Sequence, residues 1–527
     1  MRYRISEIKL NVTQQEQDLP AAVRKKLRKK NLEIYDLQII KESIDARKKP
    51  DIKRVYTVEF SCDQKLPLKE AVKREYHIPA ADGTGKERPV VAGFGPAGMF
   101  AGLILAEAGL KPIILERGEP VEQRMKTVQK FWKEGVLDPE SNVQFGEGGA
   151  GTFSDGKLTT GIKDIRIGKV LEELVEAGAD PSILYKQKPH IGTDKLRGIV
   201  KNIRKKIESL GGEIRFESRL EEITLSSENK AGERTLQEGK EVKKVTVRKR
   251  NADGSADLYD LPASCLILAT GHSARDTFEM LQRQGADMEQ KPFSIGVRIQ
   301  HLQETIDEAQ YGDAKLAKIL GPAEYKLHHK CENGRGVYTF CMCPGGEIID
   351  SSSEPETAVT NGMSESARDG KYANSGLLVD VRISDFGSED PLAGIAFQKH
   401  YEELAYRQGG GRIPETTYEK FRDDTEDPVR NSLPDFAAES IVEAMPHLGR
   451  KLRGFDAPDA VMKAVETRSS SPVRILRDET GQSSIRGMFP AGEGPGYAGG
   501  IVSAAVDGIR MAEKAALVIF SEEPNIL

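Results

Sequence analysis

The sequence predicts an α/β fold in three parts: a small α+β domain, a larger parallel α/β domain, and an α+β domain inserted into the latter. Three observations predict it. A β-α-β-β pattern fills the first residues and is set off by an Ala/Gly/Asp/Lys-rich, linker-like stretch at 79–89. Two distant segments, 89–117 and 486–517, both read strand, glycine turn, helix. Between them, from 292 to 465, strands and helices alternate without such a turn.

Composition sets the bounds. The chain has 527 residues, is 38% hydrophobic and 30% charged, and carries 51 glycines, as an ordinary multidomain globular protein with close backbone approaches would. The start, MRYRISEIKL, lacks a signal-peptide core, and no apolar run is long enough to span a bilayer. Five cysteines are few and odd in number, which favours a reducing, cytoplasmic setting over a disulfide framework. The net charge of −5 argues against wholesale nucleic-acid binding. Residues 1–87 nevertheless hold 20 Lys/Arg against 14 Asp/Glu, centred on Arg24, Lys25, Lys26, Arg28, Lys29 and Lys30. A solvated helix face is the expected reading of that cluster, with a phosphate-bearing partner as the alternative.

Taken in order, residues 4–10 read as a strand, 19–29 as a helix, and 34–44 and 54–62 as two further strands. At 89–92 a short apolar strand runs into a glycine turn and a helix rich in small residues, which Gly109 ends before the next strand. A glycine-rich loop covers 141–161, and a periodic helix covers 193–210. Residues 213–225 give a strand with a turn, 226–262 a β-meander with a polar excursion, and 265–271 a buried parallel strand. Strand-like runs at 293–299, 336–343 and 376–383, with helices near Ile306, at 395–406 and at 437–445, make up the insert. The expected domains are 1–87, 88–290, 291–465 and 466–527, the second and fourth forming one unit.

The first motif is Gly93-Phe94-Gly95-Pro96-Ala97-Gly98. A pyrophosphate must lie against the free N–H groups and positive dipole end of a helix. Gly93 permits the tight turn, Gly95 leaves room for the phosphates, and Gly98 lets helix and strand pack closely. Glu116 follows Gly93 by 23 residues, the spacing of a carboxylate that binds ribose hydroxyls, and Arg117 adjoins it. Such a carboxylate would repel a 2′-phosphate, so the site suits FAD or NAD and not NADP.

Two later stretches bear on that choice: Ala269-Thr270-Gly271 after its strand, and Met488-Phe489-Pro490-Ala491-Gly492-Glu493 followed by Gly499-Gly500-Ile501. With the first motif they resemble the FAD-binding fold of the glutathione-reductase-like superfamily, which implies FAD. There the acid at the position of Glu493 is usually Asp and holds the ribityl chain, and the helix after Gly500 points its N-terminus at the flavin. The loop around Gly148 and Gly149 can form an N–H nest or admit a flat ring system, with Lys157 and Leu158 beside it. Consecutive motifs such as SNVQFGEGGAGTFSDGKLTTG, ILATGHSARDTF, CMCPGGEI and PAGEGPGYAGGI carry a closer resemblance. It is to a bacterial family of FAD-dependent dehydrogenases, or NAD(P)/FAD-dependent oxidoreductases, with an N-terminal β-α-β-β domain. The resemblance implies a Rossmann-type FAD-binding domain with an inserted α+β substrate domain and a small N-terminal α+β domain, in an enzyme that is an oxidoreductase.

Catalytic candidates are Cys343, His272, Lys157, Arg468 and Arg474. Cys341 and Cys343 should share one face of a strand, too strained for a mutual disulfide, with Cys343 the more reactive because it is nearer the glycine turn. The arginines suit a carboxylate or phosphate. The eight histidines show no metal-ligand spacing, and no metal is expected. The absence of a second glycine motif between 292 and 465 argues against a resident NAD(P)H site, leaving NAD(P)H as a transient donor. The expected function is FAD-dependent hydride transfer with an anionic small molecule. A flavin monooxygenase, or an RNA-associated flavoprotein docking through its basic N-terminal domain, are the alternatives. No membrane partner is expected, and oligomeric state is left open.

Overall fold

The computed structural model describes residues 1–49, 51–72, 75–78, 87–226 and 240–520. Most of the linker expected at 79–89, and residues 227–239 of the expected meander, lie outside the described residues.

A five-stranded parallel sheet forms the centre of the nucleotide-binding part, in the order Met488–Pro490, Leu266–Leu268, Val90–Ala92, Ile113–Leu115, Glu213–Arg215. Its three inner strands are three residues long, apolar and buried on both faces, as parallel strands covered by helices must be. Helices Pro96–Glu107, Thr193–Ser209 and Ile501–Phe520 pack on one face around Phe100, Ile114, Ile203, Ile267 and Ile509. The other face is covered by a three-stranded antiparallel meander, Ser218–Ser226, Glu241–Arg250 and Ala256–Pro262, through Leu220, Val245 and Val247. Of the polar excursion expected at 251–260, residues 251–255 make the turn between the last two strands and the rest belongs to strand Ala256–Pro262.

The region from Phe293 to Glu466 builds a six-stranded antiparallel sheet. Its order is His328–Lys330, Gly336–Cys343, Tyr372–Val381, Phe293–Leu302, Val461–Glu466, Glu415–Thr417. Helices Gln303–Tyr311, Ala393–Gln408 and Asp435–Lys451 occur at the three places where the sequence period indicated helix. A buried ionic cluster ties the two parts together. Glu402, on helix Ala393–Gln408, accepts from Arg468 Nε at 3.0 Å and Nη2 at 2.8 Å, and from Arg275 Nη2 at 3.0 Å. Burial alone would push the Glu402 carboxyl up, but the two guanidinium charges outweigh it and hold it down to about 2.

At the N-terminus, Arg2–Asn11, Lys53–Ser61 and Tyr35–Asp45 form an antiparallel sheet in that order, with helix Leu19–Leu27 packed on it through Leu19 and Val23. This sheet docks on both larger parts: Glu42 N–H donates to Tyr185 O at 2.8 Å, and Arg54 Nη2 to Ile319 O at 2.8 Å.

Candidate functional site

The glycine motif occupies the crossover from strand Val90–Ala92 to helix Pro96–Glu107. Gly93 takes φ +100°, and a Cβ on it would stand 2.3 Å from Ala269 O. A Cβ on Gly98 would stand 1.9 Å from Gly93 O, so this glycine sets the helix against the turn. Gly95 differs from both. It caps the helix, and a Cβ there would meet nothing nearer than Gly149 Cα at 3.8 Å, because that direction opens into a cavity. Pro96 opens the helix with the right φ and no N–H to leave unpaired.

Glu116, just beyond strand Ile113–Leu115, is buried at the cavity edge. Its Oε2 accepts from Phe94 N–H at 2.8 Å, and Oε1 from Gly118 and Gly146 N–H at 2.9 Å each. Two carboxylate oxygens offer about four acceptor directions, so one is left for a hydroxyl. Arg117 forks onto Asp276 at 3.0 and 3.1 Å and stacks on the Phe145 ring at 4.1 Å.

The glycine-rich loop is held from below by a side chain that sequence reasoning missed. Arg124 is fully buried and donates to the carbonyls of Asn142 (2.9 Å), Val143 (2.9 Å), Glu147 (2.7 Å) and Gly149 (3.0 Å). Its burial pulls the guanidinium down to about 10. Only the Arg-in-helix position just after Glu116 could have hinted at this, and nothing local in sequence distinguishes it from a surface arginine.

The cavity itself has a volume of about 360 Å³. One wall is the nucleotide-binding part: Gly93, Gly95, Pro96, Ala97, Gly149, and Ala269 to Gly271. Glu493 and Gly499, Gly500 and Ile501, at the start of helix Ile501–Phe520, close one side. Glu493 Oε1 stands 3.4 Å from His272 Nδ1, and His272 Nε2 is buried without a protein partner. The opposite wall comes from the six-stranded part and includes Phe340, Cys341, Asn361, Glu466 and Ser469.

Six expected site residues stand elsewhere, Cys343 among them. Gly98, Gly148 and Gly492 shape the backbone without lining the cavity: a Cβ on Gly148 would reach Thr152 Oγ1 at 2.2 Å, and one on Gly492 Ala97 Cβ at 2.6 Å. Leu158 is a core side chain, because the chain turns after Lys157 to bridge toward Pro189. Arg474 lies outside the wall, its Nη2 on Gly496 O at 3.3 Å and its guanidinium over the Tyr497 ring. Lys157 and Arg468 do line the cavity but are already paired. Lys157 Nζ binds Asp155 at 2.9 Å and Met342 O, and Arg468 is locked onto Glu402.

The cysteines are the clearest correction. The strand's pairing slips between Phe340 and Cys343, and Cys341 takes φ +46°. This bulge breaks the two-residue alternation, so the two thiols, though hydrogen-bonded to each other, differ in their access to the cavity. Cys341 is partly exposed and lines the cavity, whereas Cys343 is sealed, with its Sγ 3.8 Å from Arg298 Nη1. A hydrogen bond from Cys343, with Arg298 and Lys157 nearby, lowers the Cys341 thiol against the opposing effect of burial. The same hydrogen bond and burial push Cys343 upward. The partly exposed, acidified thiol is therefore Cys341.

Glu466 was also missed. It ends strand Val461–Glu466, faces the cavity, and is held by Arg298 Nε at 2.6 Å and Nη2 at 3.1 Å. Burial pushes its carboxyl up to about 7, against the pull of Arg298. Gly376 makes the space: a Cβ there would stand 2.9 Å from Glu466 Oε1.

A helix N-terminus behind an open glycine, a carboxylate at the next strand end, and a second helix start across the cavity fit a dinucleotide with a ring system. FAD would be held by the Gly95 turn at its pyrophosphate, by Glu116 at its ribose, and by the wall around Gly499 and Gly500. The fold and site are of the FAD-dependent class of proteins. The particular family follows from the comparisons. An uncharacterized protein of Clostridium beijerinckii is 44% identical over 97% of this chain and 98% of its own length, and this chain belongs to its family. Residues 292–469 match the model for the C-terminal domain of FAD-dependent proteins, and residues 2–61 match a domain of unknown function. Among solved structures, the glycerol-3-phosphate dehydrogenase from Bacillus halodurans complexed with FAD is similar at 12% identity and TM-score 0.38, over 84% of this chain and 66% of that one. A geranylgeranyl bacteriochlorophyll reductase-like protein from Thermoplasma acidophilum is similar at 13% identity and TM-score 0.35, over 83% and 80%. Overlaps this loose carry no argument about substrate.

Proposed function

We propose that the protein oxidises or reduces a small anionic substrate by hydride transfer at FAD, with the substrate bound between the glycine-motif wall and the six-stranded domain. One observation carries this reading. A single cavity is lined on one side by the nucleotide-binding turns and on the other by Cys341, Asn361, Glu466 and Ser469. Ligand sites of two-domain proteins sit at such junctions. Bound FAD supplies the hydride chemistry, and the chain's side chains orient the substrate and handle its proton.

Glu466 is suited to the proton. A carboxyl titrating near neutrality can take a proton from a substrate hydroxyl or amine and give it back. Arg298 fixes it in place and also donates to Cys341 O at 3.0 Å and Asn374 Oδ1 at 2.9 Å, so one buried guanidinium orders the whole wall. Lys157 and Arg468 line the cavity, each already shared with a carboxylate, and a carboxylate or phosphate on the substrate would take up the N–H donors they have left. NAD(P)H is proposed only as a transient donor. The six-stranded part is antiparallel and offers no second parallel nucleotide-binding unit among the described residues.

The test is anaerobic reduction of the yellow protein by NADH and NADPH, followed by reoxidation with a panel of unsaturated and keto acids. Rapid reoxidation by one acid, slowed when Glu466 is changed to Gln, is the expected result. If no acid reoxidises the protein but oxygen does so with hydroxylation of an added compound, the monooxygenase reading replaces this one.

A further inference from the structure

Far from any expected motif, the edge of the six-stranded sheet brings three ligand-type side chains together. His329 belongs to strand His328–Lys330, Cys331 follows it directly, and Glu443 projects from helix Asp435–Lys451, which packs on that strand. One donor atom from each lies within 4.8 Å of the others. His329 Nε2 and Glu443 Oε1 are 3.7 Å apart. Tetrahedral zinc with bonds of about 2.0 Å to nitrogen or oxygen and about 2.3 Å to sulfur needs donors roughly 3.3–3.7 Å apart. The His–Glu pair stands a few tenths of an ångström beyond the roughly 3.3 Å of a nitrogen–oxygen pair, and all three donors lie within 4.8 Å of one another, so modest side-chain movement closes the set.

We propose that His329, Cys331 and Glu443 form a structural site for a zinc-type divalent cation. The donor set is one imidazole, one thiol and one carboxylate, a combination that suits zinc over magnesium or calcium. Two features prepare it. Glu332 N–H donates to Glu443 Oε1 at 2.9 Å, orienting the carboxylate, and that oxygen keeps a second lone pair for the ion. The His447 ring, one helical turn beyond Glu443, stacks on the His329 ring with centroids 4.0 Å apart and so restrains its tilt. His447 is itself held through Nδ1 by Arg450 at 2.6 Å. Supports of this kind are what fix ligand orientation in metal sites.

The thiol donates to Ser440 O at 3.4 Å in the metal-free arrangement. Binding would release that proton to solvent and join sulfur to the metal, with no change of oxidation state. His329 and Glu443 are partly exposed, so a fourth position opens to water and the ion has a way in. The expectation of no metal came from spacing along the chain. That spacing cannot register Glu443, which arrives from a helix far downstream. A bound ion would clamp a strand that ends the sheet among the described residues to the helix covering it.

The experiment uses the full-length, flavin-loaded protein, stripped with chelator and dialysed against zinc or cobalt(II). One equivalent of either metal should be retained. The cobalt form should show a thiolate-to-metal band and tetrahedral d–d bands on the long-wavelength side of flavin absorption. Cys331→Ser should lose the thiolate band, and His329→Ala, a change at a partly exposed position outside the hydrophobic core, should weaken retention at least tenfold. Substoichiometric metal in the wild type, or equal retention by the wild type and His329→Ala, would overturn the proposal. Flavin content is read in parallel, so failure of the metal site is separable from failure of the flavin reading.

Discussion

At Gly95 and Gly98 the same residue type serves opposite needs three positions apart. Gly98 is closed in by Gly93 O, so Gly98→Ala must shift the helix and should destabilise the protein by about 1–3 kcal/mol, measured by thermal or denaturant unfolding. Gly95 faces the cavity with ordinary negative φ. Gly95→Leu should therefore leave the flavin-free protein close to wild-type stability yet abolish flavin retention. Free FAD at about 100 times its dissociation constant should stabilise the wild type by about 2.7 kcal/mol and leave Gly95→Leu unmoved. Glu466 yields a pH prediction. Its carboxyl, raised to about 7 by burial, becomes the proton acceptor as pH rises through that value. In the direction of substrate oxidation, kcat/KM should climb across about pH 7. Glu466→Gln should lose that limb while retaining flavin; an unchanged profile would remove the residue from the proton step.

At the scale of elements, the glycine-rich loop and the strand carrying Cys341 show how backbone irregularity is supported by buried arginines. Arg124 collects four carbonyls beneath the loop, one of which, Glu147 O, also accepts from Thr152 Oγ1. Arg124→Met should loosen the loop by about 3–5 kcal/mol, the range for losing a buried charged partner, and speed proteolysis within 141–161 before global unfolding. The bulge at Cys341 is the counterpart on the other wall. It turns one thiol toward the cavity and seals the other behind Arg298. Alkylation at neutral pH should label Cys341 first, and saturating FAD should slow it. Labelling of Cys343 ahead of Cys341 would contradict the bulge.

Across the whole molecule, the parallel-sheet part and the six-stranded part are joined by the Arg275–Glu402–Arg468 cluster. The Glu402 carboxyl is lowered from 4.5 to about 2, so it stabilises the fold above pH 4.5. That contribution, about 3 kcal/mol, fades as pH falls from 4.5 toward 2. Glu402→Gln should lower the melting temperature at pH 7 and flatten its fall below pH 4.5, a difference that vanishes near pH 2. None of the helices among the described residues is long and apolar enough to cross a membrane. The parallel βαβ unit was legible in the chain because its signals are local: three-residue apolar strands, glycines at steric contacts, and a carboxylate one strand away. The N-terminal β-α-β-β pattern and the three helices of the six-stranded part were legible for the same reason, through period and punctuation. What the chain could not disclose alone are pairings made across long separations. Whether Lys157 and Arg468 were free or paired depended on Asp155, Met342 and Glu402; which cysteine met the cavity depended on one residue's slip in strand register; and Glu466 acquired its proton affinity only from burial against Arg298. Local sequence sets backbone preference and periodicity, but burial and electrostatic partnership exist only once distant segments have been packed together.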